Sequence, residues 1–114
     1  MSGESSPRTA RRYATLGGLL ARIGQLDEAM GLLDGAASLL MSTEGPHHAT
    51  TQNVVEASLG LIATKVEQLV ASKDKATASV LLTHGLTTGG RVLGFNHAAI
   101  LALRKIASDH RITI

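Results

Sequence analysis

The side chains best suited to chemistry in this sequence are five histidines, which raises the question of a metal site. They are His47, His48, His84, His97 and His110. A zinc-binding helix commonly places two histidines four positions apart with a glutamate between them, so that both imidazoles lie on one face. No such pair occurs here, and adjacent side chains such as those of His47 and His48 point in different directions on a helix. We therefore expect histidines at the surface or at helix ends, and no metal site.

The acidic, hydroxyl and glycine residues give no pattern that indicates catalysis. The nine acidic residues are scattered along the chain, and none is paired for acid–base work. No Ser lies in a nucleophile elbow. Gly17-Gly18 and Gly89-Gly90 lack the Lys-Ser/Thr pair that completes a phosphate-binding loop, so we assign them to helix crossing and helix ending. The sequence thus predicts a protein that is not an enzyme and has no cofactor.

Three arginines near the start, Arg8, Arg11 and Arg12, form a local concentration of positive charge. They could contact a phosphate group or an acidic partner, or they could belong to a solvated helix start. The formal net charge is only +2, and the other basic residues are dispersed. Because nucleic-acid binding requires a concentrated basic face, we expect no nucleic-acid partner.

The composition is that of one small domain with an aliphatic core. The chain has 114 residues, 44% of them hydrophobic, and its aromatic side chains are Tyr13 and Phe95. There is no cysteine, which excludes disulfides and sulfur-ligated zinc and agrees with a reducing, cytoplasmic location. No run approaches the ~20 apolar residues of a membrane span. Residues 5–22 are rich in Arg and Ser, which leaves organelle targeting as an alternative.

Apolar side chains that recur every three or four residues predict an all-α fold of about five helices. The first two helices form a hairpin over residues 7–41, which begins at Ser6-Pro7 and turns at Gly24. The second helix starts near Asp27-Glu28, because acidic side chains favour a helix N-terminus. The apolar face predicted for the first helix consists of Tyr13, Leu16, Leu20 and Ile23.

The next two helices form a second hairpin over residues 48–91, with its turn at Lys73-Asp74. We expect its second helix to fray near Gly89-Gly90. A capping helix over residues 97–109 follows, with Asn96 as its N-cap. Residues 1–5 are predicted to be flexible and 110–114 to form an extended tail. Short links between the helices of each hairpin make them antiparallel neighbours.

Residues 10–43 also contain a repeat motif, LGGLLARIGQLDEAMGLLDGAASLL. It resembles the tetratricopeptide repeat (TPR), a helical hairpin with small residues at fixed positions. Gly17 and Ala29 would let the two helices cross closely, Gly24 would make the turn, and Ala36 would let the next repeat dock. The full set of structural repeat positions is Leu16, Gly17, Leu20, Gly24, Ala29, Leu33 and Ala36.

The segment RVLGFNHAAILALRKIA near the C-terminus resembles the inter-repeat linker of the longer, kinesin-light-chain type of this repeat. Three stretches that each precede a helix look alike: Ser6-Pro7, 45–48 and 94–97. The second repeat is degenerate: with Ala78 equivalent to Ala29, Val66 replaces the first glycine and Lys73 replaces the turn glycine. The resemblance implies a short α-solenoid of two stacked hairpins and a capping helix.

The same resemblance implies a non-catalytic protein-binding module, an adaptor or assembly subunit. Its groove would take a helical or extended segment of a partner protein. The implied groove positions are Arg11, Ala14, Gly18, Ala21, Arg22, Gly60, Ala63, Glu67, Val70 and Ala71. Two alternatives remain: a small dedicated chaperone, such as those of secretion systems that carry this repeat, and a regulatory fragment of a larger protein.

The C-terminal end, residues 100–114, is a second candidate interface. Its apolar residues are spread over more than one side of the last helix and continue into the tail. A contiguous exposed apolar patch commonly marks a protein interface. We therefore expect this end to contact a partner chain, either another copy or a larger assembly. The residues concerned are Ile100, Leu101, Ile112 and Ile114.

Overall fold

The computed structural model describes residues 7–114, and every regular element within that range is an α-helix. The five helices are α1 (Pro7–Arg22), α2 (Leu26–Thr43), α3 (Ala49–Ala71), α4 (Lys75–Leu93) and α5 (Ala98–Asp109). The predicted all-α class with five helices is therefore confirmed. The expected flexible segment 1–5 and the cap at Ser6 lie outside the described residues.

Each helix packs against its neighbours in sequence, and α5 also packs against α3. The core lies between α2, α3, α4 and α5, whereas among residues 8–22 of α1 one apolar side chain, Ala10, is fully buried. The largest fully buried apolar side chains are Leu40, Val55, Val66, Leu82, Ile100 and Leu103. The aliphatic core expected from the composition is thus built mainly by four of the five helices.

Helices α1, α3 and α5 end in the same kind of turn. Gly24 after α1, Lys73 after α3 and Arg111 after α5 have φ angles of 85°, 64° and 54°. In each turn the N–H of the following residue donates to the carbonyl five positions before it, at 2.8 Å. This left-handed ending satisfies carbonyls that the last helical turn leaves free. Glycine adopts the conformation without steric cost, whereas Lys73 and Arg111 adopt it against their preference.

The linkers before α3 and α5 also share their geometry. Gly45 and Gly94 both have a φ of 86°, and three residues later His48 and His97 cap the next helix. The Nδ1 atom of each histidine accepts from the backbone N–H two positions on, at 3.2 and 3.0 Å. The prediction of Asn96 as the cap is wrong, because the extended backbone that a cap requires falls at His97.

Small residues mark the crossing of α1 and α2. A Cβ atom on Gly17 would lie 3.2 Å from the carbonyl oxygen of Ala29 and 3.2 Å from Cγ of Leu33. Ala29 itself is fully buried. The two backbones can approach this closely because neither Gly17 nor Ala29 carries a long side chain.

Helix α4 continues through Gly89 and Gly90 to Leu93, so the prediction that it frays there is wrong. Both glycines are buried. A Cβ on Gly89 would lie 2.7 Å from Cδ1 of Leu59 and 2.8 Å from Cδ1 of Ile100. Packing from α3 and α5 therefore stabilises a helical segment whose intrinsic helix propensity is low.

The predicted apolar face of α1 is wrong at two of its four positions. Leu16 and Ile23 are 48% and 71% exposed, and both lie outside the core. The buried side of α1 carries Ala10 and Gly17 instead. A search for large apolar residues missed this side, because close helix crossing uses small residues that carry little hydrophobic signal.

Residues 110–114, which were predicted to form an extended tail, pack back onto the helices. Ile112 is only 7% exposed and belongs to the core. The carbonyl of Thr113 accepts a hydrogen bond from the hydroxyl of Ser79 on α4. The His110 imidazole Nε2 lies 3.0 Å from Oε1 of Glu67 on α3. The left-handed turn at Arg111 directs the chain end back onto the fold.

Candidate partner-binding site

A cleft of about 410 Å³ separates α1 from α3. Three of the predicted groove residues, Arg11, Ala14 and Gly18, form its α1 wall. Buried Leu33 of α2 contributes to its lining from below. The α3 wall, which the sequence reasoning did not include, consists of Thr50, Asn53, Val54 and Ala57.

The cleft stays open because, apart from Arg11 and Leu33, the residues that line it have short side chains. No heavy atom lies within 4 Å of the position that a Cβ on Gly18 would occupy. Ala57 on the opposite wall is exposed. A side chain added at Gly18 would therefore project into open space without displacing another part of the fold. A sequence signal could have identified the α3 wall. Small and polar residues recur at positions 50, 53 and 57, about one helical turn apart.

A second cleft, of about 340 Å³, lies between α3 and α5. Gly60 and Ala63, both predicted groove residues, line it together with Ala98 and Ala102 of α5. At its rim the His97 imidazole Nε2 lies 3.7 Å from Oε2 of Glu56. Alanine and glycine on both walls again explain why the helices leave space between them.

The two clefts flank one strip of α3 that points away from the core. Asn53, Gly60 and Thr64 occupy this strip, and all three are exposed. Their spacing of seven and four residues places them on one side of the helix. A segment that lies across α3 could therefore use the strip and both clefts.

Five predicted groove residues line neither cleft: Ala21, Arg22, Glu67, Val70 and Ala71. Glu67 is already engaged, because its carboxylate lies 3.0 Å from His110. Val70 is half-buried and packs against the core. The five lie toward the C-terminal ends of α1 and α3, whereas the clefts form along the earlier turns of these helices.

Helix α1, which forms one wall of the first cleft, is electropositive. Helix α1 carries Arg8, Arg11, Arg12 and Arg22 and no acidic residue. All four are exposed, and none takes part in an ion pair within residues 7–114. By contrast, several carboxylates are paired: Asp27, for example, lies 3.0 Å from Nζ of Lys65. The arginines of α1 are thus available to an acidic partner.

The predicted C-terminal interface does not form one exposed patch. Ile100 is fully buried and Ile112 is 7% exposed, so both are core residues. Leu101 and Ile114 are 51% and 54% exposed. The prediction is wrong for the two buried residues, because α5 and the chain end turn those side chains inward against the rest of the fold.

A third opening, of about 470 Å³, lies between α2 and α4 and was not predicted. His84 of α4 and Asp34 of α2 meet there, with Nε2 and Oδ2 3.2 Å apart. Arg91, Ser38 and Thr88 also line it. The cationic Arg91 and the anionic Asp34 share this opening, so it has no single sign of charge that would select a ligand.

The histidines do not assemble a metal centre in the described part of the chain. Within residues 7–114, no group of three His, Asp or Glu side chains is arranged to hold a metal ion. His48 and His97 cap helices instead, while His84 and His110 pair with carboxylates of other helices. Among the described helices, none combines the length and the apolar character needed to cross a membrane.

Comparisons with protein-family models, with curated proteins and with solved structures find no match for this chain. Its function must therefore be inferred from the residues and geometry described above.

Proposed function

We propose that this chain is a non-catalytic protein-binding module that holds an apolar, acidic segment of a partner protein in the cleft between α1 and α3. The observation that carries the proposal is the composition of that cleft. Short side chains leave about 410 Å³ open between two helices, and the exposed Arg11 stands on its wall. A space between helices suits an amphipathic helix or an extended peptide.

The acidic character of the partner segment is inferred from charge. Arg8, Arg11 and Arg12 lie within two turns of one another on α1 and have no ion-pair partner among residues 7–114. An arginine binds a carboxylate through charge-assisted hydrogen bonds, which are stronger than neutral ones. A partner segment with apolar residues toward Ala14 and Gly18 and a carboxylate toward Arg11, the arginine that lines the cleft, would satisfy both features.

We further propose that the helices form a short TPR-like solenoid, in which α1, α3 and α5 present the binding surface. Supporting this arrangement, the turns at Gly24 and Lys73 and the linkers at Gly45 and Gly94 repeat with the same spacing of 49 residues. The equivalent positions Ala29 and Ala78 are both fully buried. Stacked hairpins of this kind commonly bind partners along one extended surface.

The test of the proposed site is to fill the cleft without disturbing the fold. In Gly18→Leu the new side chain enters the cleft, since the Cβ position is free of neighbours. Gly31→Leu is a matched control, because Gly31 of α2 is exposed, its Cβ position is equally free, and it lines none of the three openings described above. Both variants replace a glycine inside a helix and should melt at least as high as the wild type.

The wild type and both variants are immobilised and used to capture proteins from the native source, with quantification by mass spectrometry. We expect a partner that is retained by the wild type and by Gly31→Leu and is lost with Gly18→Leu. A photo-crosslinking residue at Ala57 should label the same partner. Equal capture by all three proteins would contradict the α1–α3 cleft as the binding site.

A further inference from the structure

The opening between α2 and α4 leads to a small recess of about 10 Å³. Asp34, His84 and Thr88 line both the opening and the recess, and Ser58 of α3 lines the recess alone. Such a volume accommodates one group about as large as a water molecule. The rest of the recess is lined by small or apolar residues: Ala37, Val55, Leu59, Ile62 and Gly85.

The hydroxyl of Ser58 is buried without a hydrogen-bond partner. Ser58 is 6% exposed, and its side chain makes no hydrogen bond to any residue between 7 and 114. By contrast, the hydroxyls of Thr64 on α3 and Thr83 on α4 each donate to the carbonyl four positions before them. Buried polar groups are normally paired with protein, water or a ligand. Ser58 is therefore placed to meet a polar group that enters the recess.

The recess offers hydrogen-bond acceptors and a negative charge. Oδ2 of Asp34 lies 3.2 Å from Nε2 of His84, which leaves the second carboxylate oxygen, Oδ1, unpaired among the described residues. The hydroxyl oxygens of Ser58 and Thr88 can also accept hydrogen bonds. A primary ammonium group has three N–H donors and a positive charge. Three acceptors, one of them anionic, therefore match an ammonium group in both number and charge.

A positive charge lies at the other end of the opening. Arg91 lines the opening but not the recess. It is exposed and forms no ion pair in the described part of the chain. Arg91 follows His84 by seven residues on α4, which corresponds to about 10 Å along the helix axis. A ligand that uses both ends must carry a cation and an anion separated by about this distance.

We propose that the opening between α2 and α4 binds a short free peptide of about three residues. Its N-terminal ammonium enters the recess, and its C-terminal carboxylate pairs with Arg91. An extended chain spans about 3.3–3.6 Å per residue, so three residues cover the distance between the two charges. Arginine binds a carboxylate through charge-assisted hydrogen bonds. Ser38, which lines the opening one turn after Asp34, can form hydrogen bonds with the peptide groups between the two ends.

The inference goes beyond the proposed partner binding, because it assigns a different surface and a different ligand. The α1–α3 cleft and the α2–α4 opening have no lining residue in common. The cleft is proposed to hold a segment of a partner protein, whereas the opening requires a free N-terminus and a free C-terminus close together. Gly18→Leu, which fills the cleft, should therefore leave binding at the opening unchanged.

Isothermal titration calorimetry of the full chain with trialanine tests the ligand. We expect the wild type to bind trialanine with a dissociation constant below about 1 mM. N-acetyltrialanine, which lacks the ammonium, and trialanine amide, which lacks the carboxylate, should each bind at least about tenfold more weakly. Dialanine should also bind more weakly, because it is too short to reach both ends.

Substitutions test the residues at the two ends of the opening. Asp34→Asn and Arg91→Gln should each weaken trialanine binding at least about tenfold, and Ser58→Ala should weaken it several-fold. Asp109→Asn and Arg104→Gln are the matched controls, because both residues are exposed on α5 and line none of the openings described above. Circular dichroism checks that each variant keeps its helical content.

Three results would overturn the proposal. The first is a wild type that binds no trialanine up to about 10 mM, which would indicate that the recess holds water only. The second is equal binding of trialanine and N-acetyltrialanine, since the recess would then not hold an ammonium group. The third is a loss of binding in the α5 controls as large as in Asp34→Asn and Arg91→Gln.

Discussion

Lys73 adopts the left-handed backbone conformation that Gly24 adopts 49 residues earlier, with φ angles of 64° and 85°. In both turns the following N–H closes the same hydrogen bond at 2.8 Å. The shape of the turn between paired helices is therefore kept although its glycine is not. The hydrogen bonds and the packing of α3 on α4 hold Lys73 in a conformation that its side chain disfavours.

Replacing Lys73 by glycine should stabilise the protein. A left-handed residue with a side chain costs about 1–2 kcal/mol, whereas the extra entropy of an unfolded glycine costs about 0.5–1 kcal/mol. We therefore expect Lys73→Gly to raise the free energy of unfolding by about 0.5–1 kcal/mol, measured by urea denaturation. Gly24→Ala is the converse control and should lower it by about 1 kcal/mol. A Lys73→Gly variant less stable than the wild type would show that the turn is not strained.

Replacing two helical glycines, Gly60 and Gly89, by alanine should change the free energy of unfolding in opposite directions. Gly60 faces open space, so Gly60→Ala should raise the free energy of unfolding by about 0.5–1 kcal/mol through helix propensity. Gly89→Ala places a methyl group within 3 Å of Leu59 and Ile100, which are buried and have little room to move. We expect it to lower stability by about 1–3 kcal/mol. Thermal melting would distinguish the two, and equal shifts would argue against tight packing at Gly89.

The Thr51 hydroxyl is fully buried and has no hydrogen-bond partner within the described part of the chain. An unsatisfied buried hydroxyl destabilises the folded state. Thr51→Val keeps the shape of the side chain and removes the hydroxyl, so it should raise the free energy of unfolding by about 1 kcal/mol. Thr64→Val is the control: Thr64 is exposed and its hydroxyl donates to the Gly60 carbonyl, and this variant should stay within about 0.5 kcal/mol of the wild type. A loss of stability in Thr51→Val would indicate that the hydroxyl has a partner in solution.

The N-cap of α4 should make part of the stability depend on acidic pH. Hydrogen bonds from the Thr77 hydroxyl and from the Thr77 backbone N–H hold the pKa of the Asp74 carboxyl below its ordinary value. A lowered pKa means that the ionised carboxylate stabilises the folded state above the unfolded pKa. That contribution is lost as the pH falls through the folded pKa.

Asp74→Asn removes this titration but keeps an oxygen that can cap the helix. The wild type should therefore melt slightly higher than the variant at pH 7, where the carboxylate also favours the helix N-terminus. This difference in melting temperature should shrink as the pH falls below the unfolded carboxyl pKa of about 3.9 toward 3. Melting temperatures measured across this range provide the check. If the difference in melting temperature between the two proteins stayed constant with pH, protonation of Asp74 would not affect its capping of α4.

Local sequence patterns determined the elements of this protein. The all-α class, the number of helices and the turns at Gly24 and Lys73 follow from apolar spacing and from turn-forming residues, which act over a few neighbouring positions. Part of the α1 wall of the cleft, Arg11, Ala14 and Gly18, was also predicted. It could be predicted because the repeat motif that suggested it lies within a single hairpin.

Only the tertiary structure decided which surfaces are open. Ile100 and Ile112 were predicted to be exposed because they lie near the chain end, but they are buried. Leu16 and Ile23 were predicted to belong to the core, but they are exposed. The helicity of Gly89 and the α3 wall of the cleft likewise depend on contacts from distant segments. A side chain's burial is set by what packs over it, and periodicity along one helix identifies an apolar side without specifying which helix, or which molecule, covers it.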